Sequence, residues 1–142
     1  MRLTDPWIGA PGRTEEQVQV FSAFWMVAYH CLHHVDLYLW DGTGEWRPPP
    51  SFADGPELEP IGADGAAVLP RVHYDREDLL EYVDYCRRRA REVLSNLSDE
   101  RLQIRRYPPG HPHRGRTFGQ LLDVNLAHLR EHTAQLAGVR SA

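Results

Sequence analysis

Between residue 14 and about residue 40, apolar side chains recur at alternating spacings of four and three: Phe21, Trp25, Ala28, Leu32, Val35 and Leu39. A neighbouring stripe carries Ala23, Val27, His30, His34 and Leu37. This is the 3.6-residue period of an α-helix, and two adjacent stripes that are apolar or histidine predict a helix covered on more than one side, as in a bundle. Thr14 and Gln17 form a capping-box pattern at its start, and Asp41-Gly42 with Gly44 stops it near residue 40.

Two more helices follow from the same reading. Asp75 is placed to cap one over about residues 75–97, with Leu79, Val83, Cys86, Ala90, Val93 and Leu97 as its buried stripe. Ser98, followed by Asp99 and Glu100, predicts a short extra turn. Thr117 and Gln120 open a last helix over about residues 117–139, whose stripe of Phe118, Leu122, Leu126, Leu129 and Leu136 is expected to pack inward. Beside it runs a mixed stripe of Leu121, Asn125, His128, His132, Gln135 and Val139. Polar groups next to a core stripe are costly to bury without partners or a ligand, which a metal-lined cleft would supply.

Residues 41–72 hold no helical or strand period and are rich in Pro, Gly, Asp and Glu, including Pro48 to Pro50 and Gly55-Pro56. Such a long irregular connection is either a lid over a site or a disordered segment, and the pattern does not choose between them. The chain therefore reads as one all-α domain over residues 1–142, a bundle with three long helices and one irregular loop.

Composition narrows the chemistry. The net charge of -4 gives no whole-protein attraction to nucleic acid or to an anionic membrane. All 16 basic residues are Arg, which excludes Lys nucleophiles, Schiff bases and a P-loop lysine. The run Arg87 to Arg91 lacks interleaved stacking aromatics and reads as a solvated helix face. There is no apolar leader at Met1 to Trp7, and Phe21 to Val27 is too short to span a bilayer, so a cytoplasmic protein is expected. Cys31 and Cys86 fall on apolar helical surfaces and read as reduced core thiols. No GxSxG, GxGxxG or CxxC pattern occurs, so serine-hydrolase, dinucleotide-binding and zinc-ribbon chemistry are set aside.

What remains is histidine. His128 and His132 are four apart, hence on one helical face with Cβ atoms about 5–6 Å apart, and both imidazoles can reach one metal ion. A third ligand comes from His30 or His34, which spacing cannot rank. His33 lies about 60° from His30 on the side away from His34 and is the poorest candidate. Glu131 does not reproduce the general base of an HExxH zinc-protease motif, because it precedes the second His instead of following the first. Three neutral imidazoles leave an open position, which favours a catalytic or ligand-binding ion over a structural one. Asp36 is expected on the helix surface or as an acceptor for an imidazole N–H, and Gln135 as a group that orients a bound water or contacts the loop. His111 and His113 read as plain loop, His73 as exposed, and Tyr29, Tyr82 and Trp46 as core.

The segments from Phe24 through His30 to Leu39 and from Asn125 through His128 and His132 to Leu136 resemble the DinB-like/YfiT superfamily. The resemblance implies a four-helix-bundle fold and a divalent ion, zinc or nickel, held by His30, His128 and His132. It also implies a thiol-dependent transferase or a hydrolase whose partners are a small-molecule substrate and a low-molecular-weight thiol. The alternative is a non-catalytic, stress-related bundle that binds metal or a small ligand and oligomerises. Met1 to Arg13, with Pro6, Gly9, Pro11 and Gly12, does not form the long helix with which the family begins. The first family helix is thus expected to be missing. Val20, Phe21, Phe24, Trp25 and Cys31 would then line an uncovered groove that a homodimer buries, unless an upstream start restores the helix.

Overall fold

The computed structural model describes residues 14–56, 69–107 and 113–141, and among them the regular structure is helical throughout. The expectations for residues 1–13, for the middle of the irregular loop and for His111 lie outside the described residues. In chain order the helices are α1 (Glu15–Phe21), α2 (Phe24–Tyr38), α3 (Arg76–Ser95), α4 (Asp99–Leu102) and α5 (Phe118–Ser141), with a 3₁₀ turn at Pro50–Phe52. No helix among them is long and apolar enough to cross a membrane.

Local chemistry accounts for the helix starts. Asp75 accepts from the Asp78 N–H at 2.9 Å while the Asp78 carboxylate accepts from the Asp75 N–H at 2.9 Å, a reciprocal cap on α3. Thr117 and Gln120 exchange the same pair of bonds at 2.9 and 3.2 Å ahead of α5. The Ser98 hydroxyl accepts from the Arg101 N–H at 3.2 Å and starts α4. At α1 the Thr14 carbonyl accepts from the Val18 N–H at 3.0 Å, while the Gln17 side chain lies outside the described set.

The helix expected over residues 14–40 is instead two. Ala23 is extended, with φ -62° and ψ 144°, and the Ser22 hydroxyl donates to the Gln19 carbonyl at 3.2 Å, drawing off an acceptor that a continuous helix would use. α2 then ends at Tyr38, where the Arg106 guanidinium donates to the Leu37 and Tyr38 carbonyls at 3.4 and 3.0 Å. The same guanidinium lies 5.2–5.4 Å from the ring centres of Trp40, Tyr107 and Phe118. Gly42 follows at φ 89°, and a Cβ there would press against Arg106.

α2 is the central element: it packs against α3 on one side and α5 on another, and α3 and α5 do not approach each other among the described residues. Between α2 and α3 lies an aromatic core of Met26, Tyr29, Phe52, Tyr74, Leu79, Tyr82 and Cys86. Phe52 comes from the segment read as irregular, yet it is buried and stacks on Tyr82 with ring centres 4.2 Å apart. Residues 41–56 are therefore partly core, because one large ring buries enough apolar surface to fix a turn that has no periodicity. Cys31 and Cys86 are buried and free, as expected of core thiols. Of the residues assigned to an uncovered groove, Cys31 is buried within the chain and Trp25 packs on His73 and Tyr74, whereas Phe24 stays exposed.

The stripe of α5 expected to pack inward does so only in part: Phe118 is buried and Leu122 and Leu136 are half-buried. Leu121 is fully buried and Asn125 and His132 nearly so, while Leu126 and Leu129 are 46% and 36% exposed. The mixed stripe faces α2, because Asn125 there donates to the Val35 carbonyl at 3.1 Å and the histidines meet partners across the interface.

Candidate metal centre

The Asn125–Val35 bond holds α5 against α2 within a turn of His128 on one helix and His34 on the other. From that anchor His30, His34, His128 and His132 converge. His30 Nε2 lies 3.2 Å from His128 Nε2, and His132 Nε2 lies 3.0 Å from the same atom. One ring nitrogen from each of His30, His34 and His128 falls within 4.8 Å of the other two. The ring centres of His30 and His132 are 4.8 Å apart and nearly perpendicular, at 84°. Two imidazoles bound tetrahedrally to zinc, with Zn–N of about 2.0–2.1 Å, stand roughly 3.3 Å apart at their donor atoms. The observed separations of 3.0 and 3.2 Å need little adjustment to reach that value.

The outer hydrogen bonds set the tautomers. His132 Nδ1 donates to Gln135 Oε1 at 2.7 Å, which leaves its Nε2 with a lone pair directed at His128. His34 Nδ1 donates to the His30 carbonyl at 3.0 Å, which likewise leaves its Nε2 basic. An N–H tied to a carbonyl with the opposite nitrogen facing a shared point is the arrangement of metal-ligating histidine. Nε2 lone pairs that face one another repel unless a proton or a cation lies between them. This donor set could hold a metal ion.

Gln135 bonds His132 and holds that imidazole in place. Other side chains stand where the sequence did not place them. Asp36 is not on the surface. It is 3% exposed and accepts from the Tyr82 hydroxyl at 2.9 Å, joining α2 to α3 away from the imidazoles. Burial pushes its carboxyl above the usual carboxylate range, opposed by Tyr82, by the Trp46 indole and by the more distant Arg89. His33 lies outside the cluster, buried between Tyr29, whose hydroxyl is 3.5 Å from its Nδ1, and Trp46, whose ring centre is 5.1 Å away. His113 is more than loop: its Nε2 is 3.2 Å from the hydroxyl of Tyr38, a ring 5.7 Å from that of His34. Tyr38 could have been suspected, because it is one turn beyond His34 on the same face. His113 carried no such signal, since its partner is distant in sequence.

A sequence profile of the DinB superfamily matches residues 37–136. The chain belongs to the DinB superfamily. No curated protein and no solved structure gives a significant match. The superfamily match spans His128, His132 and Gln135 but begins after His30 and His34, so these two enter the candidate site on geometry.

Proposed function

We propose that this DinB-superfamily protein is a metal-dependent enzyme of the thiol-dependent transferase or hydrolase type, with a zinc or nickel ion held by His30, His128 and His132. The observation that supports the reading is that His30 Nε2 and His132 Nε2 lie 3.2 and 3.0 Å from His128 Nε2, with the His132 lone pair fixed by Gln135. An ion bound by three imidazoles supplies an open position that lowers the pKa of a bound water or holds a small thiol as thiolate. The protein's part is to present the nitrogens on two helices packed by Leu121 and Asn125. Those helices keep the donors from drifting apart as a substrate arrives.

Metal analysis of protein purified without chelator tests the reading first, with about one divalent ion per chain expected and none in His128→Ala or His132→Ala. Cobalt-substituted protein should then change its visible spectrum when a small cellular thiol is added. Metal without any thiol response would leave a non-catalytic metal-binding protein.

A further inference from the structure

His34 is not needed for the three-imidazole ion proposed above, yet it is built into the same cluster. Its ring centre lies 4.4 Å from that of His30 and 4.9 Å from that of His128. One of its nitrogens is within 4.8 Å of a nitrogen on each of them. His30 and His128 thus share a cluster with His34, while His132 approaches the same His128 nitrogen as His30 does. The two outer rings are prepared alike. Each gives its Nδ1 proton to an oxygen, His132 to Gln135 and His34 to the His30 carbonyl, and each keeps Nε2 as the basic nitrogen.

They differ in how firmly they are held. His132 is buried with its Nε2 already 3.0 Å from His128. His34 is half-buried, beside Tyr38, and one of its nitrogens lies within 4.8 Å of a nitrogen on His30 and on His128. Rotation about its side-chain torsions moves the ring toward or away from the cluster without moving α2.

We infer that His34 is an exchangeable fourth ligand: it closes the metal's remaining position at rest and swings away when a thiol or water takes that position. The inference rests on the metal reading above. An inner ligand of this kind gates the site, because an incoming group competes with an imidazole held permanently nearby, and its apparent affinity falls by the fraction of time the position is open. A soft thiolate displaces imidazole from zinc more readily than a hard carboxylate does, so the gate favours thiols over carboxylate metabolites.

X-ray absorption of the zinc-loaded full chain counts the imidazoles bound. Four are expected in the wild type, and three in His34→Gln with one ion still retained. Cobalt-loaded His34→Gln should bind a small thiol about tenfold more tightly than cobalt-loaded wild type, read from the visible bands. Three imidazoles in both proteins would overturn the proposal. So would complete loss of metal in a His34→Gln variant of unchanged helical circular dichroism, since the residue would then be an obligatory ligand. The wild-type count decides the matter alone if the variant does not fold. A wild type that binds no metal instead defeats the metal reading itself.

Discussion

The Tyr82 hydroxyl donates to the Asp36 carboxylate at 2.9 Å, across 46 residues of sequence and from α3 to α2, in the most enclosed part of the core. Burial raises the Asp36 carboxyl, and Tyr82 is the first group that opposes the rise. Tyr82→Phe removes that donor and leaves a buried acceptor unsatisfied, at a cost of about 1–3 kcal/mol in urea unfolding. The folded state binds the Asp36 proton more tightly than the unfolded chain, so this residue makes stability fall as pH rises from about 3.9 through its raised pKa. Asp36→Asn should flatten that slope. A slope unchanged in Asp36→Asn would assign the pH dependence to other groups.

Gln135 acts on the candidate ion through His132. Gln135→Leu keeps the volume but removes the acceptor for His132 Nδ1, so that imidazole is free to change tautomer and to rotate. Zinc affinity, measured by competition with a chromophoric chelator, should fall roughly 10–100-fold with helical content unchanged. Because imidazole binds metal only when neutral, affinity in the wild type should also decrease as pH drops below about 6.5. Binding that persists undiminished near a pH of about 5 would rule out an all-histidine site.

Gly55 is buried against Tyr29. A methyl group there would collide with the Tyr29 hydroxyl, approach its ring carbon at 2.7 Å and come within 3.2 Å of the Phe52 carbonyl. Gly55→Ala should destabilise the fold by about 1–3 kcal/mol, as overpacking does. Tyr29→Phe removes the atom struck first, so the double variant should recover part of the loss. Additive effects in that cycle would show that the collision is relieved elsewhere.

The two thiols should be inert in the native state. Burial pushes the Cys31 thiol up to about 11 and raises that of Cys86 as well, so neither forms thiolate near neutrality. A disulfide-exchange reagent at pH near 7 should label neither until the protein is unfolded, then both. The raised thiols make stability fall as pH climbs from about 8.5, the unfolded value, toward the folded values. Rapid labelling of the native protein would contradict the burial of these cysteines.

Much of this molecule is local, and most of what is local was legible; the break at Ser22 and Ala23 was not. The caps at Asp75–Asp78 and Thr117–Gln120 involve residues three apart, so the pattern that predicts them is the structure that forms. The histidine pairs four apart share a face for the same reason, and any helix over those residues brings each pair together. Phe52 and His113 were not legible, because an aromatic ring or an imidazole in a segment without periodicity reveals its partner only once the chain has folded back on Tyr82 or Tyr38.

The sequence by itself determined the three helical stretches, the caps that start two of them at Asp75 and Thr117, and that two histidine pairs stand ready on helix faces. Tertiary structure decided which positions of the two adjacent stripes on α5 are enclosed. Both stripes satisfy helical periodicity, and a rotation of one residue's angle about the helix axis exchanges them. The choice fell to contacts between helices, in which Leu121 is wholly enclosed and Asn125 finds the Val35 carbonyl. That rotation places His128 within reach of His30. Hydrogen bonds inside one helix are set by near neighbours in the chain, but a site between two helices exists only when the free energy of packing selects their mutual orientation.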